Sequence, residues 1–177
     1  MANDLWRTPP EVFEYYNNKY NFQWDVCASA ENALCKKYLT EKDDFLCGGL
    51  TTVSDISYGA FHWCNPPYSN PLPFVNQCIS DSKIIGAGYV MLLNVDFSTK
   101  WASKLTNIQC KIKIIKSARI SFLNNNGVAV KGNSKGQCIV IIPPFVRDGY
   151  ATIQTTSLDK IICIGSELLK AKKDNKQ

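Results

Sequence analysis

Two consecutive prolines at positions 66 and 67 constrain this chain more than any other feature. They follow the apolar-aromatic run Phe61 to Cys64, which reads as a buried strand. Proline lacks an N–H donor and fixes φ, so the strand must leave the sheet at Asn65 as a rigid, extended loop. Asn65, Pro66, Pro67 and Tyr68 together present an amide side chain, free carbonyls and an aromatic ring. That set suits a planar amino group: the Asn65 oxygen and the Pro66 carbonyl accept its two hydrogens while Tyr68 stacks on the ring.

The chain of 177 residues is long enough for one domain with a real core. It is 45% hydrophobic and 20% charged, an ordinary globular balance. No run of 18 apolar residues exists, and Met1 to Pro10 is polar and interrupted by proline, so a soluble protein without a signal peptide, in the cytoplasm, is expected. The eight cysteines, at 27, 35, 47, 64, 78, 110, 138 and 163, form no Cys-x-x-Cys pair, and His62 is the only histidine. The expectation is therefore no metal, with the cysteines as reduced core residues.

Charge is distributed unevenly. Residues 1–96 carry eleven acidic and six basic side chains, whereas residues 97–147 carry nine basic ones and no carboxylate. Such a stretch, interleaved with Asn- and Gly-rich loops, reads as a polyanion face. Its other reading is a set of lysines solvating exposed strands.

Thr8-Pro9-Pro10 reads as a helix start with Thr8 at the cap. Phe22 to Ala28 reads as a strand ending near Asp25, and Ser29 to Tyr38 as a short helix or turn. Pro73 to Lys83 and Thr99 to Leu105 read as helices. Tyr89 to Val95, Lys111 to Ile115, Ile120 to Phe122 and Cys138 to Ile142 read as strands, and Ile161 to Leu169 as a last apolar element before a frayed tail, residues 170–177. Alternating strands and helices indicate a single α/β domain spanning residues 1–177, a mostly parallel sheet flanked by helices. Ligands of such sheets bind at the carboxyl ends of the strands, where Asp25, Asp44 and Asn65 are expected to converge.

In this order, Trp6-x-Thr8-Pro9-Pro10, Asp25-Val26-Cys27-Ala28-Ser29, Lys42-Asp43-Asp44-Phe45-Leu46, Cys64-Asn65-Pro66-Pro67-Tyr68, Ser98-Thr99-x-Trp101 and Ala118-Arg119-Ile120-x-Phe122 form a specific set. The sequence resembles the adenine-N6 DNA methyltransferases, most closely the small phage-type Dam family, over roughly residues 6 to 142. The resemblance implies a Rossmann-like methyltransferase fold, S-adenosylmethionine as cofactor and double-stranded DNA as partner, with the host cytoplasm as location if the gene is a phage's. It implies that Thr8, Pro9 and Pro10 close over the methionine end of the cofactor. Asp25, Cys27, Ala28 and Ser29 look like the first cofactor loop. Asp44 looks like the acceptor for the cofactor's adenine amino group, with Phe45 beside that ring, and Asn65 to Tyr68 looks like the catalytic loop. Two departures stand out. The first cofactor loop lacks Gly-x-Gly, and only 18 residues separate Asp25 from Asp44, which leaves ribose contacts to Asn32 or Glu31.

The chemistry so implied needs no metal and no covalent enzyme intermediate. It needs positioned acceptors and a pocket for a base that has left the duplex. Phe122 is either a second aromatic wall of that pocket or a core residue. His62 reads as a buried, satisfied histidine rather than a general base. The chain has no room for a separate recognition domain, so residues 97–136 are expected to contact DNA, with Lys111, Lys113, Lys116 and Arg119 on phosphates. The alternatives are an RNA adenine or a protein glutamine amide as the methyl acceptor, or a non-catalytic DNA-binding relic.

Overall fold

The structure, a computed structural model, describes Asp4, residues 6–130 and residues 133–175. Lys131 and Gly132 of the basic stretch and Lys176 and Gln177 of the tail lie outside the described residues.

One strand organises the molecule. β4 (Gly88–Asn94) runs through the centre with Tyr89 to Leu93 fully buried. Its alternate residues feed two cores: Tyr89, Met91 and Leu93 face one, Val90 and Leu92 the other. Burial on both faces is what a continuous apolar run in a parallel sheet produces. Around it lie β1 (Trp24–Asp25), β2 (Lys37–Tyr38), β3 (Phe61–Cys64), β5 (Lys111–Lys116), β6 (Gln137–Ile142) and β7 (Thr152–Ser157). The order across the sheet is β2-β1-β3-β4-β6-β5-β7, with β6 antiparallel to both its neighbours. This is the α/β sheet, mostly parallel and flanked by helices, that the alternation of elements predicts.

α1 (Pro10–Tyr20) and α4 (Leu158–Asp174) cover one face. Val12, Phe13 and Tyr16 from α1 meet Trp63, Ile139 and Ile161 there. α2 (Leu72–Ile85) and α3 (Lys100–Thr106) cover the other, through Val75, Cys78, Trp101 and Leu105. From β1 the chain steps outward to β2, then returns past β1 to build β3 on its other side. The connections therefore diverge above β1 and β3, and that crevice at their carboxyl ends is where an open α/β sheet binds ligands.

Several local expectations shift. Thr8 does not cap α1. Pro9 is the capping residue, its carbonyl accepting from Val12 and Phe13, and Pro10 takes the first helical position, where a missing N–H does no harm. Of the two readings of Ser29 to Tyr38, the structure takes the turn, and the segment ends in β2. Ile120 to Phe122 makes no strand; Ile120 and Phe122 bury their side chains in an irregular segment, and isolated pairings of Leu123 with Arg7 and with Ala129 follow it. β7 lies at the sheet edge with Thr152 to Thr155 exposed, so it carries little apolar signal. α4 begins at Leu158 and runs past Lys170 to Asp174, and its Lys172 pairs with the buried Glu14 at 2.6 Å.

The close approach of α1 and α4 depends on Gly165. A Cβ there would lie 2.1 Å from the Glu11 carbonyl oxygen, a backbone atom that cannot swing away. Gly165→Ala should therefore destabilise the fold by about 1–3 kcal/mol. Thermal denaturation would show this as a fall of roughly 2–4 °C per kcal/mol. An unchanged melting temperature would mean that α4 is not seated against α1 as described.

Candidate active site

The pairing of β1 with β3 sets the site. Asp25 stands opposite Trp63, and the Val26 N–H donates to the Trp63 carbonyl at 3.0 Å. Two residues beyond Trp63 the strand ends, because Pro66 and Pro67 supply no donors, and Asn65 stands at the same carboxyl edge as Asp25. Both line one small cavity with Thr8, Cys27, Asn32 and Trp63.

Asp25 is 3% exposed. Its carboxylate accepts from the Leu34 N–H at 3.1 Å and the Cys27 N–H at 3.4 Å. Burial still outweighs those two bonds and raises its pKa to about 7. The Ser29 N–H donates to Asn32 Oδ1 at 2.6 Å, and the Ala28 N–H to the Leu39 carbonyl. The loop after β1 is thus folded by its own side chains in place of glycine.

The N-terminal segment crosses above this edge. Arg7 pairs with Leu123 through reciprocal backbone bonds of 2.8 and 2.9 Å, and its guanidinium reaches the Glu31 carbonyl at 3.2 Å. The Trp6 ring stacks on Phe122 at 5.5 Å, and Phe122 meets Tyr68 edge-on at 5.6 Å. Phe122, read from the sequence as either a pocket wall or a core residue, is fully buried and also braces the Tyr68 ring.

Four residues that line this cavity carry buried polar atoms without a hydrogen-bond partner, Trp6 Nε1, Arg7 Nε, Thr8 Oγ1 and Asn65 Oδ1, and the buried Tyr68 hydroxyl nearby has none either. Unpaired buried polar groups are costly, so a concentration of them marks a place where a ligand completes the bonding. The residues fit a polar, nucleoside-sized cofactor in chemistry. The cavity itself is only about 40 Å³. That is less than the roughly 300 Å³ typical of a small-molecule site.

Not every expected residue joins them. Phe45 is buried against Phe74 and Tyr89 in the core below α2. Asp44 follows β2 at the same sheet edge, exposed and in the left-handed region at φ 45°, and does not line this cavity. Pro9 is buried, while Pro10, Ala28 and Ser29 lie in the two segments that flank the cavity without lining it. His62 is buried as expected but not satisfied: neither ring nitrogen has a partner, and burial lowers its pKa to about 4. It lies against Tyr89 on the α2 face, away from the cavity.

A second cavity of about 320 Å³ opens on the other side of Tyr68. Tyr68, Asn94, Asp96, Thr99, Lys100 and Lys135 line it. Sequence reasoning missed Asn94 and Asp96, whose signal is their position just after the buried run of β4.

The basic residues divide. β5 runs parallel to β4, so Lys116 and, beyond it, Arg119 lie at the carboxyl edge with Asn65. Lys111 stands opposite Ile141 near the other edge, roughly 17 Å along the strand from Lys116. Lys113 lies between them; burial and the neighbouring Lys19 lower its pKa. Lys111 and Lys113 share one face of β5, Lys116 takes the other and Arg119 lies beyond the strand, so the four do not form a single row. Arg119 donates to the Asn133 carbonyl at 2.9 Å, which braces the loop after it.

Among the described residues, no group of three His, Cys, Asp or Glu side chains could hold a metal ion, and no helix is long and apolar enough to cross a membrane. Comparison with known proteins gives the lineage. A DNA N-6-adenine-methyltransferase of Haemophilus phage HP1 (strain HP1c1) is 40% identical over 161 residues, 89% of this chain and 89% of that one. A DNA N-6-adenine-methyltransferase of Escherichia phage T1 is 31% identical over 157 residues, 80% of this chain and 63% of that longer one. Residues 1–168 match the sequence model of the Dam family, DNA N-6-adenine-methyltransferase, and with these two relatives that match shows that the chain belongs to the Dam family.

Proposed function

We propose that this chain transfers a methyl group from S-adenosylmethionine to the exocyclic N6 of an adenine flipped out of double-stranded DNA. Its catalytic loop is of the Asn-Pro-Pro-Tyr type, and it acts in the cytoplasm of a bacterial host. The observation that carries this reading is Asn65 Oδ1, a buried acceptor without a donor, on the same cavity wall as Asp25.

S-adenosylmethionine supplies an electrophilic methyl group on a sulfonium. The protein's part is acceptance and alignment. Asn65 Oδ1 and the Pro66 carbonyl, to which no described residue donates, take the two amine hydrogens. This draws the amine lone pair out of conjugation with the purine ring and aims it at the methyl carbon. Tyr68, backed by Phe122, holds the base plane, and the polar cavity beyond Tyr68 is the volume into which a base can turn. Asp25, the Cys27 to Ser29 loop and Thr8 hold the cofactor, with Asp44 placed for its adenine amino group. Phe45, committed to the core, supports that loop from below. Lys116 and Arg119 take phosphates at the carboxyl edge.

The test is tritium transfer from S-adenosylmethionine to unmethylated duplex DNA, followed by nucleoside analysis. N6-methyladenine is the expected product, and label on RNA or on a glutamine amide alone would sink the proposal. Asn65→Ala should lower kcat at least ~100-fold, on the scale of removing one preorganised transition-state donor or acceptor. Its cofactor affinity should be kept, whereas loss of cofactor binding would make Asn65 a structural residue.

Asp25 gives a pH signature. Its folded pKa is raised, so the stability it contributes is full below about pH 4 and is lost as pH rises through about 7. A cationic cofactor group beside it would hold it ionised, so cofactor affinity should rise as pH climbs toward about 7, with release of a proton, and level off above that value. Asp25→Asn should flatten that profile in titration calorimetry. An equal pH slope in the variant would assign the titration elsewhere.

On DNA, Lys116→Ala and Arg119→Ala should each reduce the slope of log K against log salt by about 0.9, and Lys111→Ala should leave it unchanged. Equal effects at all three would place DNA across the strand axis instead.

A further inference from the structure

The catalytic loop has few restraints of its own. Between Asn65 and Asn70 the one backbone bond internal to it is the Asn70 N–H to the Pro67 carbonyl, at a long 3.3 Å. The second restraint comes from a residue 65 positions earlier in the chain. Ser69, next to Tyr68, donates its N–H to Asp4 Oδ1 at 3.0 Å and its hydroxyl to Asp4 Oδ2 at 2.6 Å. Both acceptors of one carboxylate thus serve both donors of one residue, a geometry that fixes direction as well as distance. The segment that carries Asp4 also carries Trp6, which backs Phe122, which in turn meets the Tyr68 ring. Tyr68 is therefore held from both sides by the N-terminal segment: through its neighbour Ser69 and through Phe122.

We propose that Asp4 is a positioning residue for the methyl-transfer step. It clamps Ser69 and so orders the Asn65–Tyr68 loop, and this makes the geometry of the reacting base depend on the docked N-terminal segment. The inference rests on the reading of Asn65–Tyr68 as the catalytic loop. Asp4 also lines the small cavity beside Asp25 and Asn65, but both its carboxylate oxygens are engaged by Ser69, through which it acts. Its contribution is to hold a near-attack arrangement, where small displacements cost rate rather than affinity.

The experiment is a cycle of Asp4→Ala, Ser69→Ala and the double variant, with Asp4→Asn as the conservative replacement. Asp4 and Ser69 are both exposed, so the variants keep the core intact. Asp4→Ala should lower kcat roughly tenfold, the scale of one or two lost hydrogen bonds, with KM for DNA and Kd for S-adenosylmethionine within about twofold. The double variant should be no slower than Asp4→Ala alone. Asp4→Asn keeps one acceptor oxygen and gains an amide donor for the Ser69 hydroxyl, so it should recover most of the rate. A normal kcat in Asp4→Ala, additive losses in the double variant, or faster cofactor release at unchanged kcat would overturn the proposal. Amide exchange at Ser69 gives a readout that needs no activity. Its N–H should exchange at least tenfold faster in Asp4→Ala than in the unaltered protein. If the unaltered protein transfers no methyl group, the functional reading has failed, and unchanged exchange at Ser69 independently refutes the clamp.

Discussion

The site depends on one pairing, that of β1 with β3. β1 is two residues long, and its register against β3 rests on Asp25 opposite Trp63 and on the backbone bonds from Gln23 and Val26 to Phe61 and Trp63. That register alone brings the carboxylate of Asp25 and the amide of Asn65 to one cavity, although 40 positions separate them in the chain. So short a strand holds its place because β3 is anchored on its far side by four successive pairings to the fully buried β4. The apolar centre of the sheet thereby fixes a polar edge, since side-chain period and strand register leave the end residues no freedom.

The polar edge carries a cost in the protein without its ligands. Five unpaired buried polar atoms and a desolvated carboxylate sit within a few residues of one another. Each such atom costs on the order of 1–3 kcal/mol when nothing meets it. Any ligand that satisfies even some of them would stabilise the folded chain. The small volume under the N-terminal segment belongs to the same balance. Packing Trp6 against Phe122 reduces water contact with the site at the expense of keeping it closed.

Much of this was legible in the sequence because the strongest signals were local. β3, β4 and β6 are short apolar runs ended by proline, a polar residue or a turn, and they fall within about a residue of the expected bounds. The convergence of Asp25 and Asn65 followed from strand ends and a parallel sheet. What was hidden is tertiary. Thr152 to Ser157 is an exposed edge whose residues face water, so no pattern distinguished it from loop. Phe45 stands beside Asp44 in sequence, but past the left-handed turn at Asp44 the ring lies in the core and not at the small cavity. Lys111, Lys113 and Lys116 adjoin in sequence, while β5 spaces them along its length and Arg119 lies beyond its end. His62 was expected to be satisfied, and only the packed neighbours show that it is not.

The loop between β5 and β6 is tied to the candidate site at three points. Gln137, 1% exposed, accepts from the Ile120 N–H at 3.1 Å and donates toward Asn94 Oδ1 at 3.4 Å, joining the loop to the end of β4 and the larger cavity. Leu123 pairs with Arg7 of the N-terminal segment, and Phe122 sits between Trp6 and Tyr68. A loop braced in this way cannot shift independently of Asn94, Arg7 and Tyr68, because the aromatic stack and the buried amide join these segments through packed side chains.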